Sequence, residues 1–170
     1  LCNLPDLDYE ENFCDITIDT VVKIFGDSVI CLGETTTLTA TTGMEYYEWS
    51  TGESSASINI SPVETTEYWV KGTLNGNQTQ DFITVVVNAV PNIISNSPPF
   101  ITHIPGINDT LWVSVQTDTL NFLWNTNDTD SSLIVDPVYT TDYYVDVMSD
   151  SGCITRQEFN VVVSNTFDFT

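Results

Sequence analysis

The sequence predicts an all-β chain built from two tandem β-sandwich domains, and three observations lead to this prediction. Short stretches alternate apolar and polar residues and are rich in Thr, Val, Ile and Tyr, as half-buried strands are. Turn signals such as Thr51-Gly52, Ser61-Pro62 and Asn75-Gly76 separate these stretches. The chain also matches itself at an offset of about 75 residues, which indicates a repeated structural unit.

The internal match sets the predicted domain boundaries. Residues 45–88 align with residues 120–163, and a shorter match lies upstream of each. The aligned pairs include Gly33 with Gly106, Trp49 with Trp124, Pro62 with Pro137, and Tyr68 with Tyr143. We therefore expect a first repeat over 21–90 and a second repeat over 91–170. Residues 1–20 are either the last strand of a preceding repeat or an N-terminal arm packed on the first repeat.

Each repeat is expected to contain seven strands, in the same order. In the first repeat they are predicted near 21–25, 28–32, 35–41, 45–50, 56–61, 65–73 and 79–88. In the second repeat they are predicted near 91–95, 100–104, 109–116, 120–125, 131–136, 140–148 and 155–163. Seven short strands in a unit of this size are typical of a small immunoglobulin-like sandwich.

Alternation along the strands predicts which side chains face the cores. The expected inward residues are Leu38, Ala40, Tyr47, Trp49, Leu111, Val113, Val115, Phe122 and Trp124. Tyr68 and Tyr143 stand near the start of the next-to-last strand, a placement that suits a tyrosine corner. Val70 and Val145 occupy the position where antibody domains carry a cysteine, so an antibody-type domain is excluded.

Composition excludes several classes of function. The 170 residues carry 24 acidic and three basic side chains, for a formal net charge of −21. Three basic residues cannot follow a phosphate backbone, and an anionic membrane would repel the chain, so no nucleic-acid or membrane partner is expected. His103, the single histidine, follows no base–nucleophile pattern and precedes a Pro-Gly turn, which predicts a surface position. We therefore expect neither an enzyme nor a cofactor.

Several motifs of the first repeat together resemble a known family. They are Ile30-Cys31-Leu32-Gly33, the stretch YYEWSTGE at 46–53, INISPVETTEYWV at 58–70 and TVVVN at 84–88. The pattern is similar to the immunoglobulin-like or PKD-like repeats of secreted Bacteroidetes surface proteins, including gliding-motility adhesins and type IX secretion cargo. The resemblance covers both repeats. It implies export, display at the cell surface and serial arrays of domains, and it specifies no ligand.

The four cysteines allow three complete pairings. Cys2 with Cys14 closes a short local loop and is favoured, and Cys14 with Cys31 is the rival. Pairing Cys31 with Cys153 is not expected, because it requires two end-to-end repeats to fold back on each other. Repeats of the resembled family often join the cysteine of the first motif to one in the final hairpin. This chain keeps only one of these two cysteines in each repeat, because Asn77 and Ile104 replace the other two.

Three further patterns give candidate sites. Oxygen-bearing side chains alternate through Asn125, Asn127, Asp128 and Asp130, as they do in calcium loops, although an ordinary polar turn is the preferred interpretation. Outward aromatic residues, Trp69, Trp112 and Tyr144, with Tyr46 beside inward Tyr47, are candidates for contacts with glycans or proteins, and cross-strand packing is the competing explanation. The Asp-Ser/Thr-apolar motifs of Bacteroidetes O-glycosylation occur at Thr20, Ser28, Thr110 and Thr119.

These observations favour a non-enzymatic structural or adhesive repeat region of an extracellular, cell-surface or secreted bacterial protein. The expected form is an extended spacer or adhesin stalk whose partners are neighbouring repeats, surface polysaccharide or other surface proteins. The alternative is a pair of carbohydrate-binding accessory domains belonging to a secreted hydrolase.

Overall fold

The computed structural model describes residues 21–116 and 120–164. Within these ranges the regular elements are fourteen β-strands, one for each predicted strand. The first seven are β1 (Ile24–Phe25), β2 (Val29–Cys31), β3 (Thr36–Ala40), β4 (Tyr46–Trp49), β5 (Ser57–Ile60), β6 (Thr66–Leu74) and β7 (Asn77–Asn88). The others are β8 (Ile93–Asn96), β9 (Phe100–His103), β10 (Asp109–Val115), β11 (Leu120–Trp124), β12 (Ser132–Val135), β13 (Thr141–Ser149) and β14 (Ile154–Val163).

The same pair of sheets forms twice. A three-stranded sheet has the order β1-β3-β5 in the first repeat and β8-β10-β12 in the second. A four-stranded sheet has the order β2-β7-β6-β4 and then β9-β14-β13-β11. The pairings are antiparallel except β2 with β7 and β9 with β14, which are parallel. This topology confirms the prediction of two tandem immunoglobulin-like sandwiches.

The described residues also divide into two compact units, whose limits differ from those of the sequence repeats. The first unit contains 21–28, 35–61 and 66–85. The second unit contains 29–34, 62–65 and the described residues from 86 onward. Strand β2 and the turn that follows it therefore belong to the second unit, although their sequence belongs to the first repeat. The repeat boundary near residue 90 remains a prediction from sequence similarity.

Alternation predicted the core correctly. Leu38, Ala40 and Trp49 are buried in the first unit, and Leu111, Val113 and Trp124 are buried in the second. Tyr47, Phe122 and Val115 are half-buried at the edges of these cores. The second core is a continuous cluster in which Trp124 stacks on Phe159, with ring centroids 5.6 Å apart.

Each core tryptophan is tied to the following turn by the same hydrogen bond. Trp49 Nε1 donates to the carbonyl oxygen of Ser55, and Trp124 Nε1 donates to that of Asp130, both at 2.8 Å. The two acceptors align in the repeats, so the turn closes over the indole in the same way twice. Burying an indole requires a partner for its N–H group, and this hydrogen bond supplies one.

Two tyrosines beside the first core, Tyr68 and Tyr47, differ in their hydroxyl partners. Burial raises the pKa of Tyr68, while a hydrogen bond with the side chain of Thr66 lowers it. A tyrosine hydroxyl that bonds the backbone is found at Tyr47, which donates to the carbonyl oxygen of Thr41 at 2.9 Å. The amide of Met44 in turn donates to the Tyr47 hydroxyl at 3.3 Å. The hydroxyl thereby fixes the turn that leads into β4.

The structure shows a cysteine pairing that was not expected. Cys31 and Cys153 form a disulfide with Cα atoms 5.7 Å apart. The rival pairing of Cys14 with Cys31 is therefore wrong, and Cys2 with Cys14 lies outside the described residues. The error came from assigning Cys31 to a separate first domain. Residues 29–34 belong to the second compact unit, which also contains the β13–β14 hairpin, so both cysteines lie within one unit.

Candidate binding surfaces and a buried charge cluster

The outer faces of the four-stranded sheets carry two of the predicted contact residues, and a cation lies over each. Lys71 Nζ lies 4.7 Å from the centroid of the Trp69 ring. The Arg156 guanidinium lies 3.8 Å from the centroid of the Tyr144 ring. The two rings align in the repeats, but Lys71 lies on β6 and Arg156 on β14. A cation over an aromatic face is attracted by the ring quadrupole, so both rings already have one partner.

Every basic side chain of the protein is also paired with a carboxylate. The pairs are Lys23 with Asp81 at 3.7 Å, Lys71 with Glu48 at 3.5 Å, and Arg156 with Asp146. Arg156 binds Asp146 through Nε and Nη2, both at 2.7 Å. These hydrogen bonds lower the pKa of the Asp146 carboxyl. The sequence contains no further Lys or Arg, so acidic side chains outnumber these two basic types by 21.

Exposed apolar side chains lie beside these paired charges. In the first unit, Tyr46 is 71% exposed and Phe82 lies directly opposite Trp69 on β7. In the second unit, Phe100 is 75% exposed on the edge strand β9. A cleft of about 360 Å³ lies beside it, lined by Pro99, Phe100, Asp142, Tyr143, Tyr144, Glu158, Phe159 and Asn160. The cleft combines aromatic walls with carboxylate and amide groups.

Trp112 lies on the outer face of the second unit's three-stranded sheet and is 40% exposed. Its backbone is fixed to Ser97, whose hydroxyl accepts the Trp112 amide hydrogen at 3.0 Å. Ile134, exposed on the neighbouring strand β12, extends the same outer face. Of the three outward rings Trp69, Trp112 and Tyr144, Trp112 is the one for which the structure describes no cation.

Side chains of the predicted calcium residues form hydrogen bonds with the backbone of this turn and of β13. Asn125 Oδ1 accepts the amide hydrogen of Tyr144, and Asn125 Nδ2 donates to the carbonyl oxygen of Asp142. Asp128 Oδ1 accepts the amide hydrogen of Asp130 at 3.0 Å. Asn127 has a φ of 70°, in the left-handed region that asparagine tolerates. The described residues contain no cluster of three or more His, Cys, Asp or Glu that could hold a metal ion. The calcium hypothesis thus rests on the sequence pattern alone.

Two of the four predicted glycosylation sites lie among the described residues. Ser28 and Thr110 are exposed, and Thr110 lies on β10 opposite Ile134. Thr20 and Thr119 lie outside the described residues. Modification of the four hydroxyls stays a prediction.

His103 is buried, and the prediction of a surface position was wrong. The side chain is 1% exposed and lies between two carboxylates. Nδ1 lies 2.6 Å from Asp109 Oδ2, and Nε2 lies 3.0 Å from Asp136 Oδ1. The hydrogen bond to Asp109 raises the pKa of His103, Asp136 adds to this effect, and burial opposes it. The amide of Gly106 also donates to Asp136 Oδ1 at 2.8 Å.

A signal in the sequence was available for this burial. His103 aligns with Ile30 at the same offset that matches Gly106 with Gly33. The strand pairing agrees with this alignment, because each of the two residues pairs with a residue near the end of the last strand of its repeat. Ile30 is apolar and is buried. The repeat thus indicated a core position at residue 103, whereas reasoning from the adjacent Pro-Gly turn indicated the surface.

Comparison with solved structures finds similarity to tandem immunoglobulin domains. Domains 3–5 of Drosophila OTK are 13% identical over 85% of this chain and 62% of that chain, with a TM-score of 0.42. The insect immune protein hemolin is 15% identical over 84% of this chain and 46% of that chain, also with a TM-score of 0.42. The three N-terminal domains of the bacteriophage RB49 Hoc protein are 16% identical over 84% and 59% of the two chains, with a TM-score of 0.39.

The chain spans roughly half to three-fifths of the length of these three structures. No protein-family model and no curated protein matches the sequence. In the part of the chain that the structure describes, no helix is long and apolar enough to cross a membrane.

Proposed function

We propose that this chain is a non-enzymatic adhesive and structural region of an extracellular protein, in which tandem immunoglobulin-like domains present binding surfaces on their sheet faces. The observation that carries the proposal is the repeated exposure of aromatic side chains on the outer faces of the four-stranded sheets, Tyr46 and Phe82 in one unit and Phe100 in the other. Large exposed apolar side chains grouped on one face mark interaction surfaces in soluble proteins.

The proposed compartment is extracellular. The disulfide between Cys31 and Cys153 supports it, because structural disulfides persist in oxidising compartments and are rare in the cytosol. The finer assignment is to a surface or secreted protein of a Bacteroidetes-type bacterium, exported as type IX secretion cargo or as a gliding-motility adhesin. This assignment rests on the sequence resemblance described above.

Adhesion is tested with beads that carry the purified chain. Retention of these beads under flow on a layer of intact bacterial cells is compared with that of beads carrying the double variant Tyr46→Ser/Phe100→Ser. A matched control is Tyr139→Ser, which removes an aromatic ring that is 80% exposed but lies in the turn after β12. We expect retention by the wild type and by the control, and loss in the double variant. Retention of wild-type beads no greater than that of albumin-coated beads would overturn the proposal.

The second candidate function is carbohydrate binding as an accessory region of a secreted hydrolase. Trp112 favours it, because its ring is partly exposed and carries no cation in the described structure. Flat rings of this kind stack on the apolar faces of sugars. Repeatable binding on a glycan array that is lost in Trp112→Ala and kept in Trp69→Ala would support this function. An array without binding by the wild type would remove it.

A further inference from the structure

His103 connects three parts of the second unit through its two ring nitrogens. It is the last residue of β9, Asp109 is the first residue of β10, and Asp136 directly follows β12. The turn 104–108 lies between the first two, and its Gly106 amide also binds Asp136. The carbonyl oxygen of His103 accepts the amide hydrogen of Ser164 at 2.9 Å, after the end of β14.

The hydrogen bonds require a particular protonation state. An ionised carboxylate only accepts hydrogen bonds, so each ring nitrogen that faces one must donate. A neutral imidazole has one N–H group, and an imidazolium has two. Two ionised carboxylates at 2.6 and 3.0 Å from the two ring nitrogens can both accept a hydrogen bond only from the charged ring. Asp109 and Asp136 are the titratable groups that face the ring from β10 and from the end of β12. On the other side of β9, His103 pairs with Val163 at the end of β14, and Ser164 follows that strand.

The first repeat has uncharged side chains at the positions equivalent to this triad. The residues aligned with His103, Asp109 and Asp136 are Ile30, Thr36 and Ser61, and Ile30 and Thr36 are both buried. The strand registers agree with this alignment, since Thr36 pairs with Ile60 as Asp109 pairs with Val135. A sandwich of this type can thus form with no ionisable group at these positions. The charged triad is a feature of the second repeat alone.

We propose that His103, Asp109 and Asp136 form a proton-dependent lock that holds the turn 104–108 against β9 and opens when the imidazolium loses its proton. Deprotonation leaves one ring nitrogen as a lone pair facing a carboxylate; the ring itself is buried, while the side chains of Asp109 and Asp136 are 33% and 39% exposed. An unpaired buried polar contact of this kind is destabilising. The turn carries Ile104 and Ile107, both exposed, so the lock fixes how these two apolar side chains are presented.

The direction of the pH effect follows from the two end states. The pKa of His103 in the folded protein is raised above its ordinary value of 6.5, chiefly by the hydrogen bond to Asp109. The stabilisation is therefore complete at pH values below the pKa that His103 has in the unfolded chain. It is lost as the pH rises through the higher pKa of the folded state. The second unit should consequently lose stability as the pH rises above 6.5.

Because His103 is the only histidine, its titration can be followed directly by NMR. We expect the imidazole resonances of the native chain to titrate at a higher pH than those of the same chain in concentrated urea. Both ring nitrogens should carry a proton at pH 6. This measurement needs no variant, so it does not depend on a mutant that folds. A native midpoint at or below that of the unfolded chain would overturn the proposal.

A matched variant tests the consequence for stability. The triple substitution His103→Ile, Asp109→Thr and Asp136→Ser transplants the residues of the first repeat into the second. We expect the melting temperature of the wild type to fall between pH 6 and pH 9 relative to that of the triple variant. Hydrogen exchange in the segment 104–110, corrected for intrinsic rates, should accelerate over the same range in the wild type only. Equal pH dependence in the two proteins would show that the triad is not a lock.

Discussion

Removal of the indole of Trp124 should unfold the second unit. The side chain is 1% exposed, stacks on Phe159 and donates a hydrogen bond to Asp130. Truncation of a buried tryptophan to alanine typically costs about 3–5 kcal/mol. The stacked pair contributes about 0.5–1.5 kcal/mol beyond its buried area, which places Trp124→Ala near the upper end of that range.

This cost is comparable with the whole stability of the domain. At about 0.05–0.15 kcal/mol per residue, a domain of about 75 residues has a free energy of unfolding of about 4–11 kcal/mol. A loss of about 5 kcal/mol would lower the melting temperature of such a domain by roughly 20–40 °C. We therefore expect Trp124→Ala to be largely unfolded in the second unit at 37 °C.

Far-UV circular dichroism during heating measures the shift, and hydrogen exchange with mass spectrometry locates it. Peptides from 109–163 should lose protection in the variant. The control is Tyr139→Ala, which removes a large ring from an exposed position of the same unit and should change the free energy of unfolding by less than about 0.5 kcal/mol. A melting temperature for Trp124→Ala that equals that of the control would refute the assignment of Trp124 to the core.

Two further predictions concern the cross-links. The disulfide closes a loop with a sequence separation of 122, for which chain entropy gives about 5 kcal/mol of stabilisation. The double variant Cys31→Ser/Cys153→Ser should therefore unfold at a lower urea concentration than the wild type. An unchanged urea midpoint would contradict the pairing. Arg156→Gln should raise the pKa of Asp146, as read from its carboxyl NMR shift, because the hydrogen bonds that lower it are lost. Since folding lowers that pKa, the wild type should have a larger free energy of unfolding than Arg156→Gln above about pH 4, and this difference should decrease as the pH falls further. A difference in the free energy of unfolding that does not change with pH would contradict the prediction.

The strands and cores were predictable because they follow local rules. Alternation of side chains along a strand has a period of two, and the repeat supplied a second copy against which each assignment could be checked. The burial of Trp49 and that of Trp124 could therefore be predicted together, and so could the positions of the fourteen strands. The outward positions of Trp69 and Tyr144 followed from the same alternation.

The functional features were less predictable because they depend on contacts between distant residues. Cys31 and Cys153 meet because β2 belongs to the second compact unit, which no local pattern encodes. Arg156 reaches Tyr144 from the neighbouring strand, so the ring that looked free in the sequence is covered by a cation. His103 was misassigned because a local turn signal was given more weight than its alignment with Ile30.

The disulfide has a mechanical consequence. When a chain is pulled by its two ends, tension passes through the covalent path, and a cross-link removes everything between its two sulfurs from that path. The segment between Cys31 and Cys153 has a sequence separation of 122 and would extend to about 400 Å if it unfolded freely. With the bond intact this length cannot be released, whichever strands part under load. Under load, this length would thus become available only after the disulfide is reduced.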